Sequence, residues 1–231
     1  MRMMSDRLKA SMELQQNLLH DVSHELRSPL ARLQVAVGLA RQSPEKLEAA
    51  MDRIELESGR INHLVGELLT LSRLDAGTME MTKVDIEIEE LLSGIVADAR
   101  FEAKSHRQKI KLDCGSRIIV SCQPELLHRA IENVVRNALK HTPAGKRITI
   151  NCRQDDVTRK NYISILDEGP GVHPAELPYI FEPFFRGKSH NDGHGLGLAI
   201  AKQVAQAHGG GIIASNHPYG GLYVEISLPL T

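Results

Sequence analysis

The chain has 231 residues, 42% hydrophobic and 25% charged, with a formal net charge of -1. That length suits one large domain or two smaller ones of ordinary soluble, globular composition, without the basic excess of a dedicated nucleic-acid binder. No run of about 18 apolar residues predicts a transmembrane helix, and the N-terminus lacks the apolar stretch of a signal peptide.

The first 17 residues are polar and helical, with Leu8, Met12 and Leu14 as apolar points. They read as the end of an incoming helix. Leu19, Ser23, Leu26, Leu30, Leu33, Val37 and Ala40 then recur in steps of four and three, as do Leu47, Met51, Ile54, Ser58, Ile61, Val65, Leu68 and Ser72. These are heptad seams of bundled helices. The break lies at Gln42-Ser43-Pro44-Glu45, with Ser43 as candidate N-cap and Pro44 at the first helical position. A turn this short predicts an antiparallel hairpin. Two helices bury two apolar stripes poorly, so a second copy is expected to complete a four-helix bundle as a homodimer. Gly77 is the expected C-terminal cap of the second helix.

After a division near residues 75–85 the pattern alternates. Helices are predicted at about 87–103, 124–140 and 196–208. Strands are predicted at 108–112, 117–121, 146–153, 161–166, 211–215 and 222–228. A mixed sheet with helices on one face follows: an α/β sandwich. The fold class is therefore multidomain, α followed by α+β, divided as 1–17, 18–76 and 82–231. Cys114, Cys122 and Cys152 are odd in number and lack C-x-x-C spacing, which argues against a disulfide framework or a zinc site and favours a reducing compartment.

On the first helix, His20-Asp21-Val22-Ser23-His24-Glu25-Leu26-Arg27-Ser28-Pro29-Leu30 places Ser23 on the seam and His24 just off it, facing solvent. A neutral imidazole is a competent nucleophile for phosphoryl transfer. Glu25 is placed to accept the ring proton. Ser28 sits one turn beyond His24, where a hydroxyl can orient a water. Pro29 is expected to kink the helix. A histidine on a helix surface is ordinarily just solvated, and the His20/His24 spacing could also suggest a metal pair, although no third ligand stands at suitable spacing.

Three later clusters carry nucleotide chemistry only in combination. In Glu132-Asn133-Val134-Val135-Arg136-Asn137-Ala138-Leu139-Lys140-His141, Asn133 and Asn137 share a helix face. Asn supplies an oxygen suited to Mg²⁺, and Lys140 a point charge for phosphate. Alone, this is an ordinary polar helix face. Asp167-Glu168-Gly169-Pro170-Gly171 follows an apolar strand, where a carboxylate can accept from an adenine amino group; a simple turn has the same composition. Gly193-His194-Gly195-Leu196-Gly197-Leu198 opens a helix and forms a candidate anion site. No strand precedes it, so it is not a dinucleotide fingerprint, and no Gly-Lys-Ser/Thr follows for a Walker loop. Between the last two clusters, Ile180-Phe181-Glu182-Pro183-Phe184-Phe185-Arg186 and a polar stretch have the composition of a lid anchored by aromatics. Aromatic residues are only 3% of the chain, and three of its four Phe lie here.

The string around His24 resembles the H box of two-component sensor histidine kinases. The later clusters, in order, resemble the N box, first glycine box, F box and second glycine box of their ATP-binding domain. The resemblance covers about residues 5–230 and implies a Bergerat-type sandwich, like that of gyrase and MutL ATPases. It implies His24 as phosphoacceptor, Glu25 as its acid-base neighbour and Ser28 at the phosphatase position, where Thr is commoner. It further implies Asn137 on Mg²⁺, Asn133 supporting metal or phosphates, Lys140 and Arg186 on phosphate, and Asp167 on adenine. Gly169, Gly171, Phe184, Gly195, Leu196 and Gly197 would shape pocket and lid. His141 stands where the family often has Tyr, so nucleotide affinity is expected to vary with pH.

The implied activity is ATP-dependent autophosphorylation of His24, then transfer to an aspartate in the receiver domain of a response regulator, with phosphatase activity toward that regulator. The alternatives are a hydrolytic ATPase clamp or a phosphatase-dominant module. Within the family, the string around His24 most resembles Cpx-type envelope-stress sensors, and Met-Ser-Asp-Arg-Leu resembles the end of a HAMP linker. A parent protein anchored in the bacterial inner membrane is implied, with this portion on the cytoplasmic face.

Overall fold

The structure is a computed structural model and describes residues 2–42, 44–115, 117–187 and 193–230. Ser43, the expected N-cap, lies outside the described residues, as do residues 188–192 of the expected lid. The chain forms two compact units, Met1–Leu69 and Thr70–Thr231.

In the first unit, α1 (Arg2–Gln42) leads through a 3₁₀ turn at Pro44–Lys46 into α2 (Leu47–Asp75). Arg32 and Glu57 lie at similar distances either side of that turn and form a two-pronged ion pair, as an antiparallel hairpin requires. Helical assignment continues through Pro29. The buried positions among those described are Pro29, Ala36, Ala50, Glu57, Leu64 and Glu67. They are not the expected seam: Ser23, Leu30, Met51 and Val65 are exposed in the single chain. The reason is geometric. Two helices bury only the strip where they face each other, whereas a heptad seam closes among four. Small Ala36 and Ala50 permit close approach of the two backbones.

In the second unit, α2 ends in a Schellman motif. Gly77 has φ 61°, its N–H donates to the Leu74 carbonyl, and the Thr78 N–H donates to that of Arg73. Strand β1 (Val84–Glu87) pairs antiparallel with β3 (Ile119–Cys122) as a separate ribbon. Four-residue β1 is too short for its alternation to stand out in sequence. Helix α3 (Ile88–Ser105) follows it. The main sheet is ordered β2 (Lys109–Cys114), β4 (Arg147–Asp155), β5 (Lys160–Asp167), β7 (Leu222–Pro229), β6 (Gly211–Asn216). The β2–β4 pair is parallel and the rest antiparallel. Ile148 and Ile150 of β4, Ile163 and Ile165 of β5 and Val224 and Ile226 of β7 are buried, as are Leu127, Ile131, Val134 and Val135 of α4 (Pro124–His141) and Ile200 and Val204 of α5 (Gly197–Ala207). This apolar layer is the core that holds the site.

The cysteine argument is overturned. Cys114 and Cys152 lie opposite each other in the parallel β2–β4 register, Cα atoms 4.9 Å apart, and form a disulfide. Their separation of 38 residues conceals an adjacency that only strand pairing creates. Cys122 is a buried free thiol, pushed up to about 11, first by burial.

Both ends of α4 are capped. Gln123 Oε1 accepts from the Leu126 N–H at 2.6 Å, and Pro124 needs no partner at the first position. Gln108 Nε2 donates to the carbonyls of Leu139 and Thr142 at the other end. Buried His208 ties α4 to α5: its Nε2 accepts from the Gln123 N–H at 3.0 Å, so Nδ1 bears the proton that meets the Val204 carbonyl at 2.8 Å. Burial holds this ring below its ordinary pKa of 6.5, against the pull of that carbonyl. The unfolded chain thus binds a proton near pH 6.5 that the folded chain refuses. The contribution is full above that pH and is lost as pH falls below it. Urea midpoints should drop between pH 7.5 and 5.5, and less steeply in His208→Ala. That variant should already lose about 1–3 kcal/mol at pH 7.5, because the buried Gln123 N–H is left without its acceptor. Equal acid sensitivity in both proteins would remove His208 from this role.

Candidate active site

The expected site residues fall in both units. In the first, His20, His24 and Ser28 follow one another at four-residue spacing on α1, and all three are exposed. The rings of His20 and His24 meet edge-on with centroids 4.5 Å apart. Glu25 is half-buried beside them. The Ser28 hydroxyl accepts from Arg32 Nη1 at 2.5 Å.

In the second unit the ends of α4, β5 and α5 converge. Asp167 is the last residue of β5 and is buried. Its Oδ1 accepts from the N–H groups of Gly169 at 2.8 Å and Leu222 at 3.2 Å. Burial raises the carboxyl above its ordinary range, while these two bonds act the other way. A Cβ on Gly169 would lie 2.6 Å from the His141 carbonyl oxygen, and one on Gly221 would run into the Asp167 carbonyl. The first glycine box thus packs directly on the end of α4 and on the start of β7. His141 is half-buried. Burial and then Lys140 lower its pKa from 6.5, with Asp167 opposing. Any titration of this ring falls below the ordinary imidazole range.

The loop after Asp167 is pinned from a place that no motif marks. Asn216, at the end of β6, accepts from the Val172 N–H at 2.8 Å and donates to its carbonyl at 2.6 Å. Gly171, at φ 74°, leaves room for that amide. Asn216 and Gly221 were missed because neither sits in a recognisable string. A glycine pair before an apolar strand, Gly220-Gly221, was the available signal.

The N box meets the second glycine box. A Cβ on Gly197 would lie 3.3 Å from Asn133 Cγ, and one on Gly193 would lie 3.3 Å from Lys140 Nζ. Asn133 Nδ2 is buried without a hydrogen-bond partner in the structure, beside the N-terminus of α5. An orphaned donor beside a helix N-terminus without a side-chain cap fits an anionic ligand. Asn137 is half-buried one turn along. Among the described residues no three His, Cys, Asp or Glu side chains gather to hold a metal. A cation here would depend on amide oxygens and nucleotide phosphates, a donor set that fits Mg²⁺.

Phe184 adopts φ 60°, and its N–H donates to the Gly195 carbonyl at 3.0 Å. A side chain on Gly195 would come within 2.8 Å of this backbone. The F box and second glycine box are therefore locked together at each end of the lid stretch. The Leu196 side chain is fully buried and supports the start of α5. Arg186 is exposed.

Residues 14–77 match the His Kinase A (phospho-acceptor) domain, and residues 122–231 match the histidine kinase-, DNA gyrase B- and HSP90-like ATPase family. Over 230 residues the chain is 36% identical to sensor histidine kinase CpxA of Escherichia coli (strain K12), covering 96% of this chain and 49% of that protein. A solved structure of the mycobacterial sensor histidine kinase MprB is 30% identical, with a TM-score of 0.58 over 64% of this chain and 97% of that one. The chain belongs to the sensor histidine kinases. A third relative, full-length ShkA in complex with AMPPNP, is 26% identical with a TM-score of 0.71 over 92% of this chain and 45% of that one. This histidine kinase chain spans about half the length of the curated relatives it matches. Among its described residues no helix is long and apolar enough to cross a membrane.

The glycine contacts yield a direct test. Gly221→Ala should weaken binding of a fluorescent ATP analogue more than tenfold by displacing Asp167. Gly115→Ala, where a Cβ meets nothing within 4 Å, should leave binding unchanged.

Proposed function

We propose that the second unit binds Mg²⁺-ATP and that its γ-phosphoryl passes to His24, which then donates it to an aspartate in a response-regulator receiver domain. The observation that carries this reading is the coexistence of a solvent-exposed His24 on a helix and an adenine-type carboxylate, Asp167, knitted into a glycine-framed pocket. The relative solved in complex with AMPPNP supports nucleotide binding.

The roles follow from chemistry. Asp167 accepts from the adenine amino group, and Asn133 with the N-terminus of α5 faces phosphate. Asn137 holds Mg²⁺, which supplies charge neutralisation on the phosphates. Lys140 and Arg186 add positive charge to the same oxygens. A His24 ring nitrogen bonds the γ-phosphorus as the bond to the β–γ bridging oxygen breaks, ADP leaves, and Glu25 takes up the ring proton. Such chemistry is mainly positioning and electrostatics. In regulator dephosphorylation, Ser28 orients a water. The water oxygen bonds phosphorus as the aspartyl P–O bond breaks, and phosphate carries the proton away.

A hydrolytic ATPase needs an acid aimed at water from the position of Asn133. Glu132 is turned about 100° away on the helix and is paired to Arg136 at 3.1 Å. The site is therefore better suited to holding ATP for transfer. We further propose that residues 18–76 dimerise, because Leu30, Val35, Leu39, Met51, Leu56 and Val65 of the hairpin stay exposed in one chain. Residues 1–17 would continue an incoming HAMP-like helix, residues 82–231 would form the catalytic domain, and the longer parent protein would be anchored in the inner membrane.

Incubation with radiolabelled ATP should give an acid-labile, alkali-stable label that His24→Ala abolishes and Asn137→Ala reduces about a hundredfold or more. Mixing the two variants should restore label if transfer crosses a dimer. Label persisting in His24→Ala would reject the assignment. ATP affinities of wild type and His141→Tyr should run parallel from pH 7 to 8 and diverge only below about pH 6.5, where lowered His141 begins to titrate.

A further inference from the structure

The hairpin buries the carboxylate of Glu57 completely. Glu57 has no exposed surface, and its carboxylate is met by Arg32 through Nε and Nη2, both at 2.9 Å, by Arg53 at 2.9 Å and by Arg60 at 3.2 Å. The hydrogen bond from Arg32, ahead of the cost of burial, lowers its pKa. One arginine answering one carboxylate would suffice for charge balance. Here three converge, and Arg32 alone comes from the opposite helix.

Arg32 keeps one more donor for a different task. With Nε and Nη2 committed to Glu57, the planar guanidinium has a single orientation, and Nη1 donates to Ser28 Oγ at 2.5 Å. This turn of α1 needs such a brace. Pro29 has no N–H, so one backbone bond is missing where His24 and Ser28 sit. The missing bond would run from residue 29 to the carbonyl of residue 25, and the side-chain bond from residue 32 to residue 28 braces the adjoining turn. It also takes one lone pair of the hydroxyl, which selects a Ser28 rotamer and leaves the O–H and the other lone pair turned outward.

We propose that Arg32, clamped by buried Glu57, is the positioning residue that aims the Ser28 hydroxyl for dephosphorylation of the regulator. The inference rests on the phosphatase reading of Ser28. The water attack on aspartyl phosphate is the same step as above, and Arg32 touches neither water nor phosphate. It limits the hydroxyl to one direction, and the gain is one of orientation.

The test uses a receiver domain chosen because phospho-His24 labels it, then charged separately with phosphoramidate so that the assay does not depend on the kinase. Release of inorganic phosphate is measured with Mg²⁺ and ADP present. The double change R32M/E57M replaces the Arg32–Glu57 pair with apolar side chains of similar length, an exchange that buried pairs commonly tolerate, and leaves Arg53 and Arg60 with access to solvent. It should lower dephosphorylation about tenfold, as S28A does, while autophosphorylation stays within about twofold. R32K, which keeps charge without the fork, should fall similarly. In an S28A background, R32M/E57M should add no further loss, because both changes remove one function. A merely structural role predicts additive losses in both reactions.

Full phosphatase rates in R32M/E57M and R32K, with S28A inactive, would overturn the positioning role alone. Full rates in S28A would overturn the phosphatase reading beneath it. If R32M/E57M does not fold, R32K decides. If phospho-His24 labels no receiver domain, the relay itself is wrong.

Discussion

The carboxylate of Asp167 is the constraint on which the nucleotide unit depends. Placed at the end of β5, it receives the N–H groups of Gly169 and Leu222 and so joins the loop after β5 to the start of β7. Both bonds favour the charged form, yet burial acts against it and wins. One carboxylate oxygen is committed to the backbone. The surrounding glycines follow from the same demand. Side chains at 169 and 221 would separate the three segments that meet at Asp167.

Around that point the pocket is built from packing on one side and from unfinished polarity on the other. In the apolar layer of α4, α5 and the sheet, Gln123, Gln108 and His208 answer helix ends. The amide nitrogen of Asn133 is buried without a partner beside the N-terminus of α5, which has no side-chain cap. A stable fold tolerates such a defect where an anion will complete it. The positive φ of Phe184 and its bond to the Gly195 carbonyl place a strained residue at the base of the lid stretch, where strain commonly accompanies a switch.

The helical unit shows the opposite economy. Its buried positions include small and charged residues, Ala36, Ala50 and the Glu57 cluster, as well as Leu64, while several large apolar side chains stay exposed. A hairpin with this distribution is incomplete as a folding unit, and association of two copies is the direct way to cover it. The buried ion cluster fixes the register of the two helices in the hairpin at some cost in stability. Through Arg32 it braces the turn that adjoins Pro29.

Much was legible in the amino-acid order because the relevant signals are local. Helical periods, the Gly77 cap, Pro124 at a helix start and the ordered motif strings each depend on residues within a turn or two of one another. Those signals determined the helix-then-sandwich architecture, the family, and the positions of His24, Asn133, Asn137 and Asp167. What only tertiary structure decided are contacts between residues far apart in the chain. Cys114 meets Cys152 through parallel strand register, Asn216 pins the loop after Asp167, Gly221 opens the carbonyl side of that residue, and Arg32 reaches Ser28 from a clamp on Glu57. Leu196 turned inward for the same reason, since its neighbours across the core, not its motif, set its burial. Local preferences are written into short stretches of sequence, whereas the partner of a distant side chain is chosen only when strands pair and helices pack.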